Sequence, residues 1–185
     1  MKNQIILAAL LLSSSCAFAG NGYVGINAGS TTQRFTIDGD SHSEDTTGVR
    51  AYAGFQINPA FGIEGGYVHF GNVSAVEDGI NFAFKPTSVY AAATGTMPMS
   101  PSLNLMGKVG IARSNSTFEA SSQGQKFSAD KTGTSAMFGI GVEYKFSETM
   151  SVVAEYENFG KIAKFDQEGI NVKASMVSVG LRTSF

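Results

Sequence analysis

The sequence has no tryptophan, four prolines and a single cysteine, Cys16, among 185 residues. One cysteine cannot form a disulfide within the chain, so the fold must be stabilised by other means. The formal net charge of −2 argues against nucleic-acid binding, which usually needs a basic surface. No apolar run reaches the roughly 18 residues that a membrane-spanning helix needs. Glycine, in contrast, occurs 22 times, above its usual share of about 7%.

Residues 1–19 have the organisation of a secretory signal peptide. Lys2 supplies a positive charge, the segment 5–12 is apolar, and Ala17 and Ala19 form a small-residue cleavage pattern. The apolar segment is too short to cross a bilayer as a helix. We therefore predict cleavage after Ala19.

This cleavage would leave residues 20–185 as one mature domain without cysteine. The alternative is a lipoprotein in which Cys16 carries the lipid. Ser13 stands where a leucine would be expected for lipidation, which counts against that alternative.

In the mature domain, apolar residues alternate with small or polar ones, the period of two that indicates β-strands. In "VRAYAGFQIN", Val49 and Phe55 share one face, whereas Arg50 and Tyr52 share the opposite face. Convincing helical periodicity is absent. The eight segments that alternate are YVGINAG, VRAYAGFQIN, FGIEGGYVHFG, SVYAAATGTM, LNLMGKVGIAR, AMFGIGVEYKF, SVVAEYE and VSVGLRTSF.

The connections between these segments alternate in length. Three are tight turns (NPAFG, PMSPS and FSETM), and four are long and polar: 38–47, 72–87, 114–134 and 158–171. Short periplasmic turns and long extracellular loops are typical of outer-membrane barrels. Alternation inside one long connection ("INFAF") also predicts strands that extend beyond the membrane. We predict an all-β fold, an eight-stranded antiparallel transmembrane up-and-down β-barrel in a bacterial outer membrane.

A soluble sandwich or lipocalin-like barrel would alternate as well. Its outer face would carry many lysines, glutamates and threonines. Here the polar face is rich in glycine and alanine and has few charges. Such a face suits a crowded lumen better than a wall in water. We therefore expect the polar face to point inward and the apolar face to contact lipid.

The polar face carries three basic and three acidic residues, which would share the narrow interior of an eight-stranded barrel. Because unpaired buried charges are costly, we expect them to pair and to fill the lumen. The alternative is that some lie near the ends in water, as we expect for Lys145. A filled lumen disfavours a general porin, which needs about 16 strands. The six residues are Arg50, Glu64, Lys108, Glu143, Glu155 and Arg182.

The sequence resembles the OmpA-like family of eight-stranded outer-membrane barrels in "YVGINAG", in 52–71, in 141–157 and in the terminal Phe185. The most specific part is "YAGFQINPAFGIEGGYVHFG", with its Gln-x-Asn-Pro turn followed by Gly-x-Glu-x-Gly-Tyr. Larger members carry a periplasmic peptidoglycan-binding domain after the barrel, and the resemblance implies a barrel without that domain here.

The resemblance implies that Glu64 and Glu143 are acids of an ion-pair gate in the lumen. Lys108 matches a basic position of the fifth predicted strand. Thr94 and Val153 stand where the family has a lysine and an arginine. The gate would therefore be rebuilt around Lys108, Arg50 and Arg182.

The last strand resembles the assembly signal of the family, although Thr183 departs from it. The resemblance implies handling by periplasmic chaperones and insertion by the barrel assembly machinery. The expected surroundings are outer-membrane lipid and lipopolysaccharide, with a monomer as the expected state. The signal residues are Val177, Val179, Leu181 and Phe185.

Neither of the two histidines lies in a sequence pattern typical of a catalytic or metal-binding site. Barrels that resemble lipid A deacylases have a serine two residues from a catalytic histidine, whereas His69 has Tyr67 and Gly71 there. His42 lies in "DGDSHSED", whose alternating acids hint at a calcium loop, but the central glycine and the closing glutamate are missing. No metal or cofactor is predicted.

The predicted function is a non-enzymatic outer-membrane scaffold that displays surface loops, for adhesion or host contact with an unidentified extracellular ligand. Two alternatives remain open: a narrow ion-conducting pore, and a lipid-modifying outer-membrane enzyme. Fold alone does not decide among them.

Overall fold

The computed structural model describes residues 21–37, 40–77, 80–122, 125–165 and 170–185. The predicted signal peptide and its cleavage site lie outside the described residues. No helix in the described ranges is long and apolar enough to cross a membrane. Nine strands are described: β1 (Gly22–Ile37), β2 (Asp40–Gln56), β3 (Phe61–His69), β4 (Val73–Glu77), β5 (Ile80–Pro98), β6 (Leu103–Ser122), β7 (Gln125–Lys145), β8 (Met150–Phe165) and β9 (Ile170–Ser184).

The strands form one closed antiparallel barrel. Strands that follow one another in the chain are paired, except β3 and β4, and β1 pairs with β9 to join the two ends of the chain. Both β3 and β4 pair with β5, so they are two parts of one barrel position. They are separated at Phe70–Asn72, where Gly71 has a φ of 86° that glycine tolerates at little cost. The barrel therefore has eight positions, and the predicted fold class is confirmed.

The strands continue far into the segments that the sequence marks as long connections. β6 and β7 pair without interruption from Leu103 opposite Tyr144 to Ser122 opposite Gln125. β6 has 20 residues, about twice the 9–11 that a strand needs to cross a bilayer. The prediction that strands extend beyond the membrane is therefore confirmed, and most of the predicted loop 114–134 is strand. The paired wall satisfies backbone groups that a loop would leave to water.

The two faces of the wall are reversed relative to a soluble barrel. On β3, Glu64 is 3% exposed, whereas its neighbour Ile63 is 54% exposed. Large apolar side chains such as Ile111 and Val177 likewise point outward on the other strands. A belt of this kind is stable only against lipid, because in water it would be a very large exposed apolar patch.

Glycine on the inner wall makes room for the aromatic side chains of the lumen. The ring of Tyr23 on β1 packs over Gly54 on β2, and the ring of Tyr90 lies over Gly66 on β3. A Cβ at Gly66 would lie 2.6 Å from Cε1 of Tyr90. The excess of glycine in the sequence therefore has a local cause: these tyrosine rings lie over positions of the adjacent strand that have no side chain.

The charged lumen as candidate functional site

Glu64 lies at the centre of the lumen and is contacted from several strands. Its Oε1 accepts hydrogen bonds from Lys108 Nζ at 2.7 Å and from the Tyr90 hydroxyl at 2.7 Å. Its Oε2 accepts one from the Tyr23 hydroxyl at 3.1 Å. Arg182 Nη2 lies 3.6 Å from the same oxygen. Arg50 Nη1 lies 3.9 Å from Glu64 Oε1. The carboxylate is therefore compensated by three cations and two hydroxyls, as a buried charge requires.

Glu155 and Glu157 of β8 form the opposite side of the network. Arg50 of β2 forms ion pairs with both carboxylates across the lumen. Lys108 Nζ lies 2.7 Å from Glu155 Oε1 and 3.4 Å from Glu157 Oε1. Lys108 therefore contacts three carboxylates, including that of Glu64, and links the two sides of the barrel.

Glu143 forms a separate group nearer the short turns. It accepts hydrogen bonds from Asn104 Nδ2 and from the Ser151 hydroxyl, each at 2.8 Å. Arg182 Nη1 lies 3.5 Å from Glu143 Oε1, so Arg182 connects this group to Glu64. The structure thus brings all six predicted lumen residues into one buried network.

Tyrosine rings cover the arginines of the network. The guanidinium carbon of Arg50 lies 4.3 Å from the centre of the Tyr52 ring, and that of Arg182 lies 4.3 Å from the centre of the Tyr23 ring. Cation–π contacts of this kind add about 2 kcal/mol when they are desolvated. The two rings also meet edge to face, with 6.2 Å between their centroids.

Glu157 is the member of the network that the sequence prediction omitted. It is fully buried and paired with Arg50. Its position two residues after Glu155 already puts it on the inward face, so alternation alone could have identified it. With Glu157, four acids face three cations, and the network carries a net charge of −1 when all groups are ionised.

An apolar layer fills the lumen beyond the charges, on the side away from the chain termini. Phe70 and Phe159 pack edge to face with 5.0 Å between their centroids, and Tyr90 packs against Phe159 at 6.1 Å. The layer has no counterpart in the sequence prediction, because part of it lies in segments that the sequence marks as loops. Its fully buried members also include Val68, Met137, Ile162, Val172 and Met176.

The lumen opens on the side of the short turns. A cavity of about 560 Å³ lies there, and Asn104, Glu143, Lys145 and Arg182 line it. Lys145 is exposed at this mouth, where the sequence places it. Further in, an enclosed space of about 10 Å³ lies between Glu64, Lys108 and Arg182, enough for about one water molecule.

The OmpA-like transmembrane domain family matches residues 18–185 of the chain. The protein belongs to this family. It is therefore an outer-membrane β-barrel of a bacterial cell, and the exposed apolar side chains of its wall agree with this.

Two curated relatives of the OmpA-like barrel extend well beyond the matched region. Outer membrane protein A of Serratia marcescens is 29% identical over 170 residues, which cover 91% of this chain and 45% of the relative. Outer membrane protein A of Shigella flexneri is 28% identical over 150 residues, which cover 80% of this chain and 42% of the relative. The chain thus spans less than half the length of these relatives.

Two solved structures share the fold of this OmpA-like barrel. Ail, the attachment invasion locus protein of Yersinia pestis, solved with the heparin analogue sucrose octasulfate, has 24% identity and a TM-score of 0.58, covering 88% of this chain and 99% of Ail. Neisserial surface protein A has 20% identity and a TM-score of 0.59, and the match covers 90% of this chain and 98% of that protein. At these identities the likeness concerns the fold.

The other predicted residues of the OmpA-like barrel lie outside the lumen network. Val177, Val179 and Leu181 point outward, and Phe185 forms backbone hydrogen bonds with Gly22. Their role as an assembly signal stays a prediction. Val153, where the resemblance expects an arginine, is a fully buried apolar side chain.

Among the described residues, the two histidines belong to no group of potential metal ligands. His69 is half-buried at the end of β3. His42 is exposed, and its Nε2 lies 2.7 Å from Glu44 Oε1. In the described ranges, no group of three potential metal ligands was found.

Replacing Glu64 with glutamine is expected to lower the free energy of unfolding by about 1–3 kcal/mol. The amide keeps the shape of the side chain but removes the negative charge, and its nitrogen cannot accept a hydrogen bond from either tyrosine. Urea unfolding in lipid micelles, followed by the heat-modifiable gel shift of barrels, measures the change. Glu148→Gln, in an exposed turn, is the matched control and should change stability by less than about 0.5 kcal/mol. Equal stability of both variants would show that the lumen charges do not stabilise the barrel.

Proposed function

We propose that the protein is a closed, non-enzymatic outer-membrane scaffold that holds its extended strands and their tips at the cell surface for contact with other molecules. One observation carries this proposal: the lumen is filled by a paired charge network with an apolar layer above it. A lumen filled in this way leaves no evident aqueous path through the described part of the barrel, so the exposed parts are the surfaces that remain for function.

The filled lumen argues against conduction. An ion would have to displace Arg50 from two carboxylates and then pass the contact between Phe70 and Phe159. An apolar constriction of this kind resists hydration as well as ion entry. We therefore expect purified protein in planar bilayers to give no conductance steps, with a 16-stranded porin as the positive control. Regular steps above the bare-bilayer level would contradict a closed barrel.

A narrow pore is the second candidate, and the contacts of Lys108 favour it. Its Nζ lies within 3.4 Å of three carboxylates, so the ammonium can exchange partners without leaving the network. Such an exchange would involve Glu64, one of the two gate acids that the family resemblance implies, whereas the other, Glu143, pairs with Arg182. If the pore exists, Glu64→Gln should change the frequency of any conductance steps.

Surface contact is the positive part of the proposal. The length of β6 and β7 holds paired strands well outside the membrane band, where other cells and polymers are within reach. The heparin analogue in the Ail structure motivates a sulfated glycan as the first probe. Cells that display the protein should bind immobilised heparin or host cells more than a deletion strain does. Surface protease treatment should remove the difference between the two strains. If the two strains bind equally even before that treatment, this part of the proposal is wrong.

The absence of catalysis is inferred from His69. Tyr67 and Gly71 stand two residues before and after it, where a serine would be needed. We expect lipid A composition to be the same in a deletion strain and in the parent. A change in lipid A that a His69→Ala variant fails to restore would establish an enzyme instead.

Assembly by periplasmic chaperones and the barrel assembly machinery is inferred from the last strand. Phe185→Ala is expected to reduce the amount of barrel in the outer membrane several-fold, because it removes the terminal aromatic of the strand. Phe61→Ala removes an exposed aromatic from the same end of the barrel and serves as the control. Quantifying folded protein in membrane fractions compares the two. Equal amounts would show that the last aromatic is not recognised during assembly.

A further inference from the structure

Three cations lie side by side on the outer wall of three neighbouring strands. Arg34 of β1 is paired directly with Lys173 of β9, and Lys173 is also paired with Lys161 of β8. All three side chains are exposed. Residues in such cross-strand pairs have Cβ atoms about 5 Å apart and share one face of the sheet. We refer to these three residues as the basic row.

The basic row lacks internal neutralisation. In the part of the chain that the structure describes, none of its three members takes part in an ion pair. Asp45 of β2 lies at the border of the row, where it accepts a hydrogen bond from Thr32 at 2.7 Å. Like charges that face each other across strands destabilise a sheet. The row is therefore an arrangement that an anion from outside would stabilise.

The wall below the basic row changes character step by step towards the membrane. The next row on the same three strands consists of Thr32, Ser175 and Asn158, in which Ser175 is paired with both of the others. The following row contains Val177, paired with Tyr156 and Ser30. Cations therefore stand above hydroxyl and amide groups, and these stand above an apolar and aromatic belt.

The height of the basic row matches the polar head-group region. Lys173 is four residues from Val177, about 13 Å along an extended strand and roughly 10 Å along the membrane normal after the usual tilt of barrel strands. Tyrosines such as Tyr156 mark the boundary between hydrocarbon and head groups in barrels of this kind. The cations thus project sideways at the level where the outer leaflet carries its phosphates.

We propose that the basic row binds the phosphate groups of an outer-leaflet glycolipid of the lipopolysaccharide class. Arg34 can hold a phosphate with two parallel hydrogen bonds, and the two lysines act as point charges. Thr32, Ser175 and Asn158 lie where sugar hydroxyls would follow, and Val177 lies where an acyl chain would begin. The three cations lie on the same outer side of the barrel wall as the lipid-facing side chains. A lipid beside the wall therefore fits them better than a soluble polymer that approaches the strand tips from the medium.

The test compares removal of one cation from the row with removal of one isolated cation. Lys173→Gln removes the central member, whereas Arg113→Gln removes an exposed cation of β6 that is paired with Val89 and Thr134, both uncharged. Labelled diphosphoryl lipid A is titrated into each protein in uncharged detergent micelles. Since a basic residue near an anionic surface contributes about 1 kcal/mol, Lys173→Gln should weaken binding about fivefold and the triple variant of Arg34, Lys161 and Lys173 about a hundredfold. Arg113→Gln should leave binding unchanged.

A second measurement separates binding from damage to the fold. Because Lys173→Gln relieves repulsion in the absence of lipid, its stability in lipid-free micelles should equal or exceed that of the parent. Dephosphorylated lipid A and inorganic phosphate should bind weakly and without dependence on Lys173. Equal losses for Lys173→Gln and Arg113→Gln would overturn the proposal. The proposal would also be overturned if heparin or inorganic phosphate bound as tightly as lipid A, or more tightly, and if that binding depended on Lys173.

Discussion

Replacing Arg50 with methionine is expected to lower the free energy of unfolding by about 3–5 kcal/mol. The guanidinium is fully buried and forms ion pairs with both Glu155 and Glu157. Methionine has a similar length but leaves the two neighbouring carboxylates with Lys108 as their remaining cation. The network would then hold four acids and two cations in a buried space. Urea unfolding in lipid micelles, measured by tyrosine fluorescence and gel shift, gives the size of the loss.

Two further variants test whether charge is the cause of that loss. Lys145→Met removes a cation from the exposed mouth and should change stability by less than about 0.5 kcal/mol. Adding Glu157→Gln to Arg50→Met removes one of the uncompensated acids, so it should restore part of the lost stability. If the double variant is less stable than Arg50→Met alone, packing around Arg50 and not its charge determines the stability of the lumen.

Replacing Phe159 with alanine is expected to lower the free energy of unfolding by about 3–5 kcal/mol, as is usual for a buried phenylalanine. Phe159 is fully buried and packs against both Phe70 and Tyr90. Its loss would open a hole in the apolar layer just above the charge network. The same unfolding assay measures stability, and planar bilayers detect any conductance that the hole permits.

The matched control is Phe138→Ala, on the lipid-facing side of β7. Phe138 is 54% exposed, so its ring contacts lipid in the membrane and loses far less on truncation. We expect Phe159→Ala to be more destabilising than Phe138→Ala by at least about 2 kcal/mol. Equal losses would show that the apolar layer does not support the barrel, and the case for a lumen closed by packing would fail with it.

These variants also separate two ways of closing a barrel. The charge network specifies which strands face each other, because each cation contacts acids on distant strands. The apolar layer fills the lumen beyond the charges with buried side chains from several strands. An aqueous path would need both to open, which is why a surface role explains the filled lumen better than transport does.

The alternation of residues was sufficient to predict the strands and the direction of their side chains. Glu64 follows from parity alone, because its neighbours Ile63 and Tyr67 must face the same medium and a carboxylate cannot face lipid. The same rule placed Arg50, Lys108 and Arg182 inside. Parity could have placed Glu157 there too, since it shares a face with Glu155.

The sequence alone therefore determined that this chain forms a membrane barrel with charges inside, because a period of two fixes which face each residue occupies. Only the tertiary structure decided which charges meet. Arg50 and Glu157 are 107 residues apart in the chain, and their contact depends on the register and curvature of the closed wall. The composition of the apolar layer and of the basic row was likewise decided by the register of the closed wall. Both consist of side chains from different strands that become neighbours only when the strands pair in one particular register.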